Sequence, residues 1–196
     1  ITSVQQVTRG ATLGTVQLDA GMTVNVYFNF TASDSNGAAD LNDTTAIGVF
    51  SKSGARIIDV CSNVREVGNT RTYQCAMPMP YYSEIGTWNV NVSIKDVSGN
   101  YIANLTTTFS VGVLRDIIIN PASISFPNVV PGSTTPVLST ANTTVTNQGN
   151  YEVPAMGQLS VIAYNLTGVT NPNERIPALN FRASGAGTVC TTGTVL

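Results

Sequence analysis

Hydrophobic and polar residues alternate with a period of two along much of the first 113 positions. The clearest run is Gly86 to Val113, where Trp88, Val90, Val92 and Ile94 are interleaved with Asn89, Asn91, Ser93 and Lys95. That period turns one set of side chains inward and leaves the other in water, the pattern of a half-buried strand. Asp96-Val97-Ser98-Gly99-Asn100 supplies a turn, because Gly99 and Asn100 tolerate a positive φ. Alternation resumes with Tyr101, Ala103, Leu105, Thr107, Phe109 and Val111 on one side and Ile102, Asn104, Thr106, Thr108 and Ser110 on the other. The spacing predicts a long antiparallel hairpin that closes a β-sandwich, with Trp88 pointing into the core.

The same pattern places earlier strands. Met22, Val24, Val26, Phe28 and Phe30 alternate with Thr23, Asn25, Tyr27, Asn29 and Thr31. Weaker strands are expected over 1–8 and 14–18. A hairpin over 45–51 and 55–61 turns at Lys52-Ser53-Gly54, and a further strand covers 70–77. A polar loop is expected over 32–43, and Pro78-Met79-Pro80 reads as a linker. The total is about seven strands, the immunoglobulin-like number. At Leu114-Arg115-Asp116 the chain changes character, and Pro121, Pro127 and Pro131 break the next stretch into short edge-type pieces. Strands are expected there at 115–119, 123–126, 137–146, 157–164 and 178–182, fewer than a closed sandwich needs. The expected architecture is all-β, with two tandem immunoglobulin-like β-sandwich domains over 1–113 and 114–196. The second is expected to be incomplete, or completed by a neighbouring chain.

Composition agrees with that class. Charged residues make up 10% of the chain, against about 25% in ordinary globular proteins, and Thr, Asn, Ser and Gly take their place. The β-branched residues among them suit a pleated surface, and no segment holds a helical period. A hydrophobic content of 42% excludes a disordered chain. A net charge of -2 without a basic cluster gives no footprint for nucleic acid. No apolar run approaches the roughly 18–20 residues of a membrane span. The sequence begins at Ile1, so either a signal peptide has been removed or this is a piece of a longer chain.

Two stretches resemble known surface proteins. GTWNVNVSIKDVSGN, followed by a Thr-rich strand ending in FSV, resembles the closing hairpin of immunoglobulin-like domains of archaeal and bacterial cell-surface proteins. TTVTNQGNYEVPA, residues 143–155, is similar to the T-N-x-G-N turn of adhesion-type β-sandwich repeats in archaeal surface proteins. The resemblance implies a modular protein of a surface layer, filament or adhesin, and it brings no catalytic residues with it.

Candidate chemistry is sparse. Six N-x-[ST] sequons occur, at Asn29, Asn42, Asn91, Asn104, Asn142 and Asn165. By strand parity Asn29, Asn91 and Asn104 belong to wet faces, where a glycan can sit; the bland alternative is polar residues facing water. Cys61 and Cys75 flank one polar segment, so a disulfide is expected in an oxidising compartment, with two buried thiols as the rival reading. Cys190 is left over, to pair elsewhere or stay free. Asp34, Asn36, Asp40 and Asp43 form one acidic loop with oxygens spaced around Gly37, suited to a hard cation such as Ca²⁺. The loop lacks the closing bidentate Glu of an EF-hand, and Asx residues populate ordinary solvated turns as well. No other cofactor is implied. With no His in the chain, a Ser/His or Cys/His nucleophile pair cannot be built, and nothing in the spacing joins two of Asp59, Glu66, Glu84 and Asp96.

These features lead to an expectation of a non-enzymatic, extracellular structural subunit of a surface layer, filament or pilus. Its partners would be copies of itself or other cell-surface subunits, with no nucleic acid and no membrane span. Association by β-strand addition would use a loose terminus, 1–8 or 188–196. The alternative is a cell-surface adhesin or carbohydrate-binding module with Trp88, Tyr73, Tyr81 and Tyr82 as sugar-stacking candidates. Of these, Trp88 points to the core by parity, and Tyr81-Tyr82, beside Pro80, are the freer to be exposed.

Overall fold

A computed structural model of the chain describes residues 1–5, 7, 14–128, 135, 137–152, 160–184 and 194–195, with Leu105, Thr106, Thr194 and Val195 described by backbone alone. The chain is all-β and divides into two compact units, one made of 1–117 with 147–152, the other of 118–146 with 153–196.

The first unit is a two-sheet sandwich. Its strands are β1 (Ser3–Val4), β2 (Thr15–Val16), β3 (Thr23–Ser33), β4 (Leu41–Lys52), β5 (Ala55–Val60), β6 (Ser62–Val67), β7 (Thr70–Pro80), β8 (Gly86–Asp96) and β9 (Tyr101–Val111). One sheet has the order β1-β3-β7-β6 and the other β2-β9-β8-β4-β5. The first strand is split between the two sheets, and β2 runs parallel to β9. This is an immunoglobulin-type strand order with an extra edge strand.

Alternation makes the core. In β3, Val24, Val26, Phe28, Phe30 and Ala32 are buried; in β7, Tyr73, Cys75, Met77 and Met79; in β8, Trp88, Val90, Val92 and Ile94. Aromatic rings bridge the sheets, with Phe28 5.4 Å from Phe50 and Phe50 4.5 Å from Phe109. Met22, expected to share the inner face of β3, precedes the strand and is exposed. Gly48 lets the sheets approach: a Cβ there would lie 3.0 Å from Phe28 and 3.2 Å from the Cys75 sulfur. The β4–β5 hairpin turns at Ser53 and Gly54, both at positive φ, as expected from a two-residue turn.

Three local features differ from the sequence expectation. First, Pro78-Met79-Pro80 is not a linker but the end of β7, opposite Thr23 to Asn25. Gln5 N donates to Asn29 O at 2.8 Å, so odd residues of β3 direct their backbone groups toward β1. Pro78 and Pro80, opposite Asn25 and Thr23, therefore turn their nitrogens away from β3. They face the side that β6 has already left, where no strand needs an N–H. Second, residues 62–67 form β6, which crosses from one sheet to the other immediately after Cys61.

Third, β9 carries a bulge. Val90 faces Thr107 but Val92 faces Asn104, so β9 holds one residue more than β8. Directly opposed residues share a face, so the extra residue exchanges the faces beyond it. Phe109 and Val111 point inward, whereas Tyr101 and Ala103 join the outer face and Ile102 and Asn104 take the core register.

The second unit is built differently. It contributes to the ladder of β10 (Ile117–Asn120) with β11 (Thr144–Asn147), and contains β12 (Leu166–Thr167) with β13 (Arg175–Ile176), and β14 (Arg182–Ala183) with β15 (Thr194–Val195). The expected second sandwich is not assembled among the described residues, and none of the unit's residues whose side chains are described is buried. The strand expected over 123–126 does not form, and residues 160–164 are not in a strand.

Candidate functional site

The residues singled out from sequence fall into separate places. Cys61 and Cys75 are joined by a disulfide with an S–S distance of 2.02 Å, both residues being buried. The bridge ties the point where the chain changes sheets to the middle of β7. Cys190 lies outside the described residues.

The acidic loop divides. Asp34 and Asp40 meet Asp96, from the end of β8, with carboxylate oxygens within 4.8 Å of one another. Asn36 stays beside them, its backbone N donating to Asp34 Oδ1 at 2.8 Å and its Nδ2 to Asp40 Oδ2 at 3.3 Å. Two donors of Asn100 hold the Asp96 carboxylate, N to Oδ1 at 2.7 Å and Nδ2 to Oδ2 at 2.6 Å. Those hydrogen bonds, led by the side-chain one, lower the Asp96 pKa below its ordinary value.

Asp43 does not belong to this cluster. The register of β4 against β8 slips between Asn42 and Ile47, and Asp43 lies in the irregular stretch. Its Oδ1 accepts from Tyr73 Oη at 2.6 Å and from Arg71 Nη1 at 3.0 Å, both on β7 of the opposite sheet. Arg71 also donates to Leu41 O at 3.0 Å and through Nε to Glu66 Oε2 at 2.8 Å. Burial, then Asp43, pushes the Tyr73 phenol up; the hydrogen bond to Glu66 leads the causes that raise Arg71. The network is a polar clasp between sheets. It takes up Glu66, while Glu84 pairs with Lys52 at 3.5 Å and Asp59 accepts from Val60 N.

The sequons are unequal. Asn29 lies on the outer face of β3, between buried Phe28 and Phe30. Asn42 Oδ1 accepts from Thr44 N and Thr44 Oγ1, at 3.2 and 2.7 Å, closing a local turn. Asn91 is on the outer face of β8, opposite Val49. Asn104, expected on a wet face, is turned to the core register by the β9 bulge. Asn142 is exposed, and Asn165 Oδ1 accepts from Ala178 N at 2.7 Å.

A node that carried no expected side-chain role lies in the T-N-x-G-N turn. Asn150 Nδ2 donates to Gly112 O at 2.9 Å and Ser83 O at 3.1 Å, and its Oδ1 accepts from Leu114 N at 2.7 Å. Gly149 permits the approach, since a Cβ there would stand 2.1 Å from Leu114 O. Arg115 stacks over the Tyr151 ring at 4.4 Å. The turn thus seals the end of the first sandwich.

Of the aromatics, Trp88 is buried and its Nε1 donates to Glu84 O at 2.7 Å, so it offers no face to a ligand. Tyr81 and Tyr82 stand edge to face at 5.2 Å, with Tyr82 exposed. Among the described residues, no helix is long and apolar enough to cross a membrane. The chain matches no family model, no curated protein and no solved structure.

Proposed function

We propose that the protein is a non-catalytic structural subunit of an extracellular assembly, a surface layer or filament, whose copies associate partly by β-strand addition. The observation that carries this reading is the contrast between the units. The first has a closed core held by a buried disulfide. The second leaves Ile118, Ile119, Ile124, Phe126, Leu138 and Ile162 between 44% and 66% exposed. Two-stranded ladders are marginal alone in water, and unpaired strand edges attract further strands. A second copy laying a strand against β10 or β11 would satisfy both needs, and repeated head to tail it yields an open filament.

The N-terminal segment is not loose. Ser3 and Val4 are paired to Thr31 and Phe30, and Val7 is fully buried in the first core. Thr194 and Val195 pair with Ala183 and Arg182; the rest of 188–196 lies outside the described residues. A terminal donor would therefore leave an existing ladder.

The experiment is electron microscopy and light scattering of the full chain across concentration, with Ile119→Lys and Val145→Lys for comparison. The expected result is concentration-dependent filaments or sheets for the parent and monomers for both variants, with unchanged melting of the first unit. A parent that stays monomeric at every concentration overturns the reading. The adhesin or carbohydrate-binding alternative draws only on the Tyr81–Tyr82 pair and gains nothing from Trp88.

A further inference from the structure

The outer face of the five-stranded sheet carries a depression of mixed lining, with an aliphatic floor, the Arg56 side chain at its edge and a sequon in its wall. Its volume is about 280 Å³, close to the roughly 300 Å³ at which small-molecule pockets begin. Ile47, Val49 and Ala103 form the floor, and Ile58 and Tyr101, 52% and 64% exposed, rise on opposite sides. Asn91 and Ser93, the first and third residues of the N-V-S sequon, line the same depression. The β9 bulge is the reason Tyr101 is there, since an unbroken ladder would have turned it inward.

Three observations single out Asn91. Val49 lies directly opposite it and Ile58 opposite Val49, so the side chain stands at the end of an apolar cross-strand row. No hydrogen bond to a described residue holds its amide, whereas Asn42 and Asn165 spend their Oδ1 on neighbours. The depression itself is a floor of aliphatic carbon with an aromatic wall and a polar rim of Asn91, Ser93 and the charged Arg56. That combination suits a pyranose ring, which has an apolar C–H face and a hydroxyl edge.

We propose that Asn91 carries an N-linked saccharide whose first ring folds back onto this depression, against Tyr101 and Ile58. The donor class is a glycosyl diphosphate. Asn91 Nδ2 attacks the anomeric carbon, the bond from that carbon to the diphosphate oxygen breaks, and its electron pair leaves with the diphosphate. Nδ2 gives up one proton to a base of the transferring enzyme. The sugar covers apolar surface that a solvated sheet face would otherwise leave bare. The inference rests on the extracellular part of the reading above and not on assembly, so an occupied Asn91 on a monomeric protein would refute only the assembly.

The test uses protein purified from its natural source. Trypsin releases residues 72–95 as one peptide in which Asn91 is the only sequon. Mass spectrometry after reduction should find that peptide heavier by a saccharide; finding it bare overturns the proposal. The second arm measures packing. Removing the sugar with an amidase, which converts Asn91 to Asp, should raise binding of a hydrophobic dye several-fold. In a Tyr101→Ser, Ile58→Ser variant from the same host the rise should disappear. Unchanged dye binding on removal means that the sugar points into solvent, and dimerisation through this face with Asn91 bare assigns the depression to a second copy; either outcome refutes the proposal.

Discussion

Replacing Asn150 separates two ways of losing the seal at the end of the first sandwich. Asn150→Ala removes three side-chain hydrogen bonds, to Gly112 O, Ser83 O and from Leu114 N. At about 0.5–1.5 kcal/mol net for each, the expected loss is about 3 kcal/mol at pH 7. Asn150→Asp keeps the shape but puts an oxygen where Nδ2 faced two carbonyl oxygens at 2.9 and 3.1 Å. The charged form is disfavoured there, so the folded-state pKa of the new carboxyl rises above its unfolded value of about 3.9. Its stability relative to the parent is then greatest below pH 3.9 and is lost as pH rises through the folded value, by up to about 1.4 kcal/mol per pH unit. Urea unfolding of both variants and the parent, followed by Trp88 emission between pH 3 and 7, measures this. Asn150→Asp should be the less stable variant at pH 7, and its deficit should shrink on acidification while that of Asn150→Ala stays flat. Equal, pH-independent deficits, or a loss below about 0.5 kcal/mol for Asn150→Ala, would refute the assignment of Asn150 as the sealing residue.

Two further outcomes concern buried groups. Replacing Cys61 and Cys75 together by Ala should cost about 3 kcal/mol on the chain-entropy account of a cross-link 14 residues apart, read from urea midpoints. Tyr73 has a folded-state pKa raised by burial and by Asp43, so the folded chain holds a proton that the unfolded chain releases above about pH 10. That contribution is complete below pH 10 and is lost as pH rises toward the folded value. Tyr73→Phe should therefore lower stability at pH 8 by about 1 kcal/mol yet flatten the decline between pH 10 and 11; an unaltered slope would exclude Tyr73 as its source.

Strand identity in the first unit was legible because burial imposes a period of two, and β3 and β8 keep it without interruption. What the period does not encode is a change of register. Tyr101 to Val111 alternates except that Ile102 falls among the polar positions and Thr107 among the apolar ones, and those two exceptions do not say where the extra residue sits. The bulge is decided by pairing with β8, a partner-dependent property, and it reverses the faces of Tyr101 and Asn104 together. Pro78 and Pro80 misled for a related reason: proline excludes a position only where a neighbouring strand needs its N–H, and β6 stops short of both.

The site residues repeat that lesson at the level of charge. Asp34, Asp40 and Asp43 look equivalent within one acidic stretch, but Asp40 precedes β4 and Asp43 sits inside its irregular segment. The strand delivers Asp43 to the opposite sheet, where it accepts from the buried Tyr73 and the mostly covered Arg71 while staying partly exposed itself. Asp96 takes the vacated role beside Asp34 and Asp40 because Val97 N donates to Asp40 O at 2.8 Å, joining the two loops at one end of the sandwich. Sequence distance between Asp40 and Asp96 hid that meeting, and only the antiparallel return of β8 along β4 creates it. The second unit lacks such long-range closure among its described residues: its short ladders bury none of the Ile, Val and Leu side chains that are described in them. An apolar sequence without a closed sheet is the condition under which a neighbouring chain contributes most, and for that reason the assembly experiment turns on Ile119 and Val145 rather than on either terminus.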